Sequence, residues 1–278
     1  MSWDCKQVKT SRGSFEIFIK GKGKPICITH LYSEFNETGD LFADCFTDEH
    51  MVILINLRGC GNSEKAHSPF EYSMIHAVLD LEAIREALMI KRWSFAGHST
   101  GGMLGVLYGV YFSERLNDLL IVGAAARDYT VSRQSIYNRE HPLYNKMQWL
   151  LEELKRPGLQ SNERLQLKKD RTKLSLYAPE LHDEYFPTSV KKKMSSLRLN
   201  YFSTELAVFD LTRKLERISV RTLIICGRHD VQCPVSFSIE MEEAIPQASL
   251  LIFEKSNHYP FLEERELFIR GMKSFFNG

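Results

Sequence analysis

Buried-strand patterns alternate with helical patterns along most of this sequence. Continuous apolar runs that contain β-branched residues are typical of strands buried on both faces. The strand patterns are 51–56, 92–97, 118–126, 221–227 and 248–254, and the helical patterns are 73–90, 101–112, 235–245 and 265–276. Strands that alternate with helices pack as a mostly parallel sheet with helices on both faces. The sequence therefore predicts an α/β fold.

A hairpin is predicted near the N-terminus. The stretch "FEIFIKG" (15–21) alternates between apolar and polar residues, and "GKGKP" (21–25) supplies turn residues before the apolar run 25–30. This pattern is typical of two adjacent antiparallel strands joined by a tight turn.

The alternation stops between residues 127 and 215. This segment, called the insertion below, is polar, helical in period and poor in strand patterns. We predict that it contributes helices and no strand, and that its lysine run, Lys191–Lys193, forms a solvated helix face. Residues 1–126 and 216–278 then form the α/β core. We expect the insertion to lie over the carboxyl-terminal edge of the sheet, where α/β folds hold their sites.

The overall charge narrows the class of partner. The 278 residues carry a formal net charge of +1, whereas nucleic acid and acidic membrane surfaces call for a basic face. No stretch approaches the roughly 20 apolar residues of a membrane span. We therefore expect a small-molecule substrate, no nucleic acid and no membrane as partners, and a homo-oligomer is left open.

The six cysteines do not indicate a metal site. They never form Cys-x-x-Cys and have no histidine at zinc-ligand spacing, so no metal is expected. The N-terminal stretch has no apolar core behind a basic start, which predicts no secretory signal. A reducing, cytoplasmic location fits these features best.

The most specific pattern is "GHSTG", residues 97–101, between a predicted strand and a predicted helix. It fits G-x-S-x-G, a strained strand-to-helix turn that raises a serine hydroxyl above the sheet. Gly97 and Gly101 lack a β-carbon, so strand and helix can pack closely around Ser99. A tight turn with a merely solvated serine is the alternative.

A nucleophilic serine needs a base held by an orienting group. His258 follows directly on the predicted strand 248–254, so its loop is expected at the same sheet edge as Ser99. His141 and His182 lie in the insertion and are expected on its surface. His229 is expected to be a loop residue.

The orienting acid is expected at the end of an earlier strand. Asp230 follows the strand pattern 221–227 and is favoured by strand order and loop pattern. Asp128 follows the strand pattern 118–126 and is the competitor.

Attack by serine on a carbonyl also requires donors for the oxyanion that develops. One predicted donor is the backbone N–H of Thr100, the residue after the nucleophile. The second is expected from the loop after "PICITH", where Tyr32 or Leu31 can present an amide. His30 and His98 are expected to brace this region rather than to do chemistry.

Four motifs together resemble the α/β-hydrolase superfamily, over nearly the whole chain. They are "NLRGCGNSE" (56–64), "GHSTGG" (97–102), "CGRHDVQCP" (226–234) and "FEKSNHYPFLEE" (253–264). The resemblance implies a triad of Ser99, Asp230 and His258, and a helical cap formed by the insertion. Within the superfamily the chain looks most like the proline iminopeptidase-like branch. It departs from that branch at Leu31, where glycine is usual, and at Thr100, where tryptophan is usual.

The predicted function is a serine hydrolase that cleaves a small ester, amide or lactone through an acyl-enzyme intermediate, without a cofactor. One alternative is a proline iminopeptidase-type aminopeptidase, for which Glu152, Glu153 and Glu205 are available to bind a substrate amine. The other is a ligand-binding receptor with little or no turnover, which Leu31 favours. A dinucleotide-binding enzyme is set aside because no G-x-G-x-x-G follows the first strand.

Overall fold

The structure is a computed structural model that describes residues 2–277. The strands are β1 (Asp4–Thr10), β2 (Gly13–Lys20), β3 (Lys24–Ile28), β4 (Ser33–Glu34), β5 (His50–Ile55), β6 (Trp93–His98), β7 (Leu116–Val122), β8 (Lys193–Met194), β9 (Thr222–Gly227) and β10 (Ala248–Phe253). The α-helices are α1 (Met74–Ala87), α2 (Thr100–Phe112), α3 (Tyr144–Glu153), α4 (Ser161–Lys173), α5 (His182–Tyr185), α6 (Ser196–Leu206), α7 (Val235–Ala244), α8 (Pro260–Glu263) and α9 (Arg265–Asn277).

Eight of these strands form one sheet in the order β1-β2-β5-β3-β6-β7-β9-β10. The six strands from β5 to β10 in this order pair in parallel, and β1 and β2 are antiparallel at one edge. One apolar cluster packs α1, α2 and α7 on one face of the sheet, and a second packs α8 and α9 on the other. The predicted α/β fold is confirmed.

The predicted hairpin between residues 15 and 30 is wrong. β2 pairs with β1 and β5, and β3 lies on the far side of β5. The connection instead crosses the start of β5: Gly21 adopts φ +85°, and a β-carbon there would lie 2.2 Å from the His50 carbonyl oxygen. Turn residues fix a local change of direction, but they do not say which strands become neighbours.

The insertion contributes α3 to α6, as its helical periodicity predicts. It also contributes β8, which pairs antiparallel with β4, so the expectation of no strand is wrong. The lysine run is also not helical: Lys193 begins β8, and Lys192 Nζ lies 2.9 Å from Asp40 Oδ2. The pairing of β8 with β4 is a tertiary contact, which local periodicity does not encode. Among the described residues, no helix is both long and apolar enough to span a membrane.

Candidate active site

The turn that carries Ser99 is strained. Ser99 joins β6 to α2 with φ 55° and ψ −124°. Residues other than glycine rarely adopt this left-handed backbone conformation. Its N–H donates to the Val122 carbonyl oxygen at 2.9 Å, which ties the turn to the end of β7. The serine is half-buried. A strained residue that its surroundings hold in place is typical of a functional position.

The two glycines of the turn are required by close backbone approach. A β-carbon at Gly97 would lie 2.1 Å from the Gly101 carbonyl oxygen, so strand and helix could not pack at their present distance. A β-carbon at Gly101 would lie 2.4 Å from the Thr29 carbonyl oxygen. The second glycine therefore lets the turn reach the loop that follows β3.

Asp230 and His258 form a buried pair. His258 Nδ1 lies 2.9 Å from Asp230 Oδ2, and the two side chains are 2% and 0% exposed. Asp230 follows β9 and His258 follows β10, and these parallel neighbours bring both loops to the carboxyl-terminal sheet edge. The other carboxylate oxygen of Asp230 accepts from the N–H groups of Gln232 and Cys233 at 2.8 and 2.9 Å.

This geometry selects one tautomer of the imidazole. Because a carboxylate can only accept, the contact places a proton on His258 Nδ1 and leaves Nε2 of the neutral ring as a proton acceptor. The competing acid, Asp128, does not bind His258. Its carboxylate accepts from the backbone N–H and the hydroxyl of Thr130 instead. His229 is exposed on its loop.

Ser99 lies beside this pair, across Gly123. The Ser99 N–H is hydrogen-bonded to the Val122 carbonyl oxygen. A β-carbon on the next residue, Gly123, would lie 3.4 Å from His258 Nδ1 and 3.1 Å from Asp230 Oδ2. Within residues 2–277 the Ser99 hydroxyl makes no hydrogen bond to His258. Such a bond is often long without substrate and shortens in the reacting complex.

Contacts that sequence reasoning missed hold the loop of His258. Its N–H donates to the Ser175 carbonyl oxygen of the insertion at 3.2 Å, and its carbonyl oxygen accepts from His98 Nε2 at 2.7 Å. Glu263 accepts from the N–H groups of both flanking residues, Asn257 and Tyr259, at 2.9 and 3.2 Å. Burial lowers the pKa of His98 well below its usual value, so this brace is a neutral donor.

The loop after β3, residues 30–34, is predicted to supply the second oxyanion donor, and it is called the oxyanion loop below. His30 lies 2.9 Å from the Ser33 hydroxyl through Nδ1 and 3.2 Å from the Thr100 hydroxyl through Nε2. Burial, assisted by the charge of Lys192, lowers the pKa of His30 to about 3. The ring is therefore neutral, and it links the oxyanion loop to the first residue of α2.

Arg198 of the insertion holds the same loop and was not predicted. It is 1% exposed, and it donates to three backbone carbonyl oxygens: through Nε to Leu31, through Nη1 to Arg58 at 2.9 Å and through Nη2 to Tyr72 at 3.3 Å. In a trans peptide the carbonyl oxygen and the next N–H point in opposite directions. The Leu31 contact therefore directs the N–H of Tyr32 away from Arg198. No pattern in the sequence marks this arginine.

The acidic residues considered for amine binding are engaged elsewhere. Both carboxylate oxygens of Glu205 accept from the Met74 N–H at the start of α1. Glu152 pairs with Lys155 on the exposed face of α3, and Glu153 pairs with Arg156. Within the described residues, no cluster of three or more His, Cys, Asp or Glu side chains is arranged to hold a metal ion.

Comparison with known proteins agrees with this architecture. Residues 28–265 match the α/β-hydrolase fold family. An α/β fold family hydrolase from Bacillus anthracis str. Sterne is 42% identical, with a TM-score of 0.96 over 99% of this chain and 100% of that one. A proline iminopeptidase from Lactobacillus helveticus is 26% identical over 80% of this chain and 78% of its own length. An esterase from Exiguobacterium antarcticum shares the fold at 23% identity, with a TM-score of 0.73 over 98% and 99% of the two chains. The chain belongs to the α/β-hydrolase family and is an enzyme of the hydrolase type.

Proposed function

We propose that this protein is a serine hydrolase that cleaves a small ester, amide or lactone through an acyl-enzyme. The observation that carries the proposal is the buried Asp230–His258 pair, with Nδ1 engaged at 2.9 Å, beside the strained turn of Ser99. A serine becomes an effective nucleophile when an oriented base can take its proton. In this proposal the insertion acts as a cap over these three loops.

The proposed reaction runs in two halves. Ser99 Oγ attacks the substrate carbonyl carbon while His258 Nε2 takes its proton, and Asp230 stabilises the resulting imidazolium. His258 then returns that proton to the leaving oxygen or nitrogen. In the second half His258 Nε2 takes a proton from water while the water oxygen attacks the acyl carbon; the bond to Ser99 Oγ then breaks, His258 returns the proton to that oxygen, and the acid leaves. The backbone N–H groups of Thr100 and Tyr32 stabilise the oxyanion in both halves.

A fluorophosphonate probe tests the nucleophile directly. Such a probe phosphonylates a serine only where a base has activated it, so we expect stoichiometric labelling of the native protein at Ser99. The Ser99→Ala variant should not be labelled, whereas Ser203→Ala, which removes an exposed serine of α6, should be labelled normally. Intact-protein mass spectrometry reads both outcomes. Equal labelling of native protein and Ser99→Ala would falsify the proposal.

Arg198 is proposed as a positioning residue for the second oxyanion donor. Arg198 holds the Leu31 carbonyl oxygen. Arg198→Met should therefore leave the peptide group between Leu31 and Tyr32 free to rotate, so that the Tyr32 N–H is no longer held in one direction. Loss of one oxyanion donor costs about 10²–10³ in kcat. We expect Arg198→Met to lower kcat by about 10- to 100-fold, with a much smaller change in KM.

A purely structural role for Arg198 predicts a different result. The variant also leaves buried carbonyl groups without a donor, so its unfolding midpoint is expected to fall. The decisive readout is affinity for a boronic acid that mimics the tetrahedral intermediate, measured on folded variant protein. It should weaken in parallel with kcat, while Arg198→Lys should retain part of both. A lower unfolding midpoint with unchanged kcat and boronate affinity would reject the positioning role.

The aminopeptidase alternative receives less support. An enzyme of that kind requires an acidic group free to bind the substrate amine, and Glu152, Glu153 and Glu205 each bind another protein group. Prolyl naphthylamide is therefore expected to be a poorer substrate than a simple activated ester. A panel of acyl esters with prolyl and alanyl naphthylamides measures this preference.

A further inference from the structure

One cation of the insertion, Arg171, forms no ion pair with a carboxylate of residues 2–277. Arg171 lies in the last turn of α4, and its Nε is buried with no hydrogen-bond partner among the described residues. Four residues later, the Ser175 carbonyl oxygen accepts from the His258 N–H at 3.2 Å. One helical turn is about 5.4 Å long, so the arginine is anchored close to the proposed base.

Three tyrosines show where the guanidinium charge acts. Burial raises the pKa of Tyr32, Tyr137 and Tyr259, and the charge of Arg171 opposes that rise at each phenol. Tyr32 belongs to the oxyanion loop and Tyr259 adjoins His258. Each of the three tyrosines is only partly buried, as Ser99 and Arg171 are. The charge of Arg171 therefore acts both at the oxyanion loop and beside His258.

Three carboxylates that could be considered as partners of Arg171 bind other groups. Asp170 accepts from the Gln166 side chain at 2.9 Å, and Asp183 binds Lys169. Asp230 directs its oxygens to His258 and to the backbone of its own loop. None of them neutralises Arg171, and Lys173 adds a second positive charge to the last turn of α4.

We propose that Arg171 binds a carboxylate group of the substrate, remote from the scissile carbonyl, so that the enzyme prefers anionic esters or amides. The proposal deepens the function above and rests on it. The Nε donor of Arg171 is buried without a partner, which is costly to leave so, and a planar carboxylate matches the paired N–H donors of a guanidinium in geometry and charge. The same positive charge disfavours a substrate with a free amine at this position.

Binding to the Ser99→Ala protein tests the proposal without catalysis. The probes are the monomethyl esters of the straight-chain diacids from succinic to suberic acid, each compared with its dimethyl ester by calorimetry. We expect at least one monoester to bind about tenfold or more tightly than its dimethyl ester, the size expected of a charge-assisted contact. Adding Arg171→Gln should erase that difference, and Arg171→Lys should retain part of it.

A matched control separates a specific contact with Arg171 from the overall positive charge of α4. Arg164 lies on the same helix and donates to the Leu154 carbonyl oxygen at 3.1 Å. In the Ser99→Ala background, Arg164→Gln removes one positive charge from the same helix and should leave the monoester preference intact. If no monoester is preferred, or if the preference survives Arg171→Gln, the proposal is wrong.

Turnover distinguishes failure of this proposal from failure of the serine mechanism. With Ser99 intact, p-nitrophenyl monoesters of the same diacids should have a higher kcat/KM than their methyl-capped counterparts, and Arg171→Gln should remove the difference. Hydrolysis of both series at equal rates leaves the serine mechanism standing and rejects the role of Arg171. If monoesters bind in a way that depends on Arg171 but turnover does not depend on Ser99, the serine mechanism is rejected and the role of Arg171 is not.

Discussion

Replacement of Ser99 by alanine is expected to lower kcat for an activated ester by about 10⁴- to 10⁶-fold, the range found when a serine nucleophile is removed from such a site. The alanine variant keeps the backbone turn but has no oxygen to form the acyl-enzyme. Residual rate enhancement should come from the oxyanion donors and substrate binding alone. Steady-state and pre-steady-state kinetics with p-nitrophenyl acetate measure the change, and the initial burst should disappear.

The control for this experiment is Ser203→Ala, which alters an exposed hydroxyl bonded to the Leu199 carbonyl oxygen on α6. Its kcat should remain within about twofold of the native value, as for most surface substitutions. Circular dichroism of both variants checks that the fold is intact. A Ser99→Ala variant that retained more than a few per cent of native kcat would require a different nucleophile.

Replacement of Asp230 by asparagine is expected to lower kcat by about 10⁴-fold, the effect of the equivalent change in a serine protease triad. Asparagine preserves the size of the side chain, but its amide can donate to His258 Nδ1. The proton then shifts to Nε2, which can no longer accept from Ser99. The expected signature is a loss of kcat with an intact fold, measured with the same ester.

The matched variant is Asp128→Asn, at the acid that sequence alone left in competition. Asp128 binds Thr130 rather than His258, so its replacement should leave kcat within a few-fold of native. If Asp128→Asn instead caused the larger loss, the assignment of the orienting acid would be reversed. The two variants therefore test the same question from both sides.

The parts of the candidate site that sequence predicts are those encoded locally. The glycine spacing around Ser99 specifies a turn because a β-carbon at Gly97 or Gly101 would collide with backbone. Asp230 and His258 follow strands that are recognisable by their apolar runs, and parallel strands deliver their loops to one edge. Fold and candidate triad therefore follow from short segments read in order.

The parts that sequence does not predict depend on which distant segments meet. Nothing in the pattern around β2 and β3 reveals that β5 lies between them. Arg198 resembles any other arginine of an amphipathic helix, and its role arises because three backbone carbonyl oxygens converge on its side chain. Lys193 lies in a strand rather than a helix because β8 pairs with β4, a contact between residues about 160 positions apart in the chain.

The bonds from the insertion to the oxyanion loop have a consequence for protein engineering. Arg198 and the Ser195 N–H reach from the insertion to the carbonyl oxygens of Leu31 and Tyr32. A chimera that received its helical segment from another hydrolase would exchange the proposed cap and, in the same step, the support of a core loop. Recombination at residues 127 and 215 is thus expected to succeed only when the donor graft supplies an equivalent arginine.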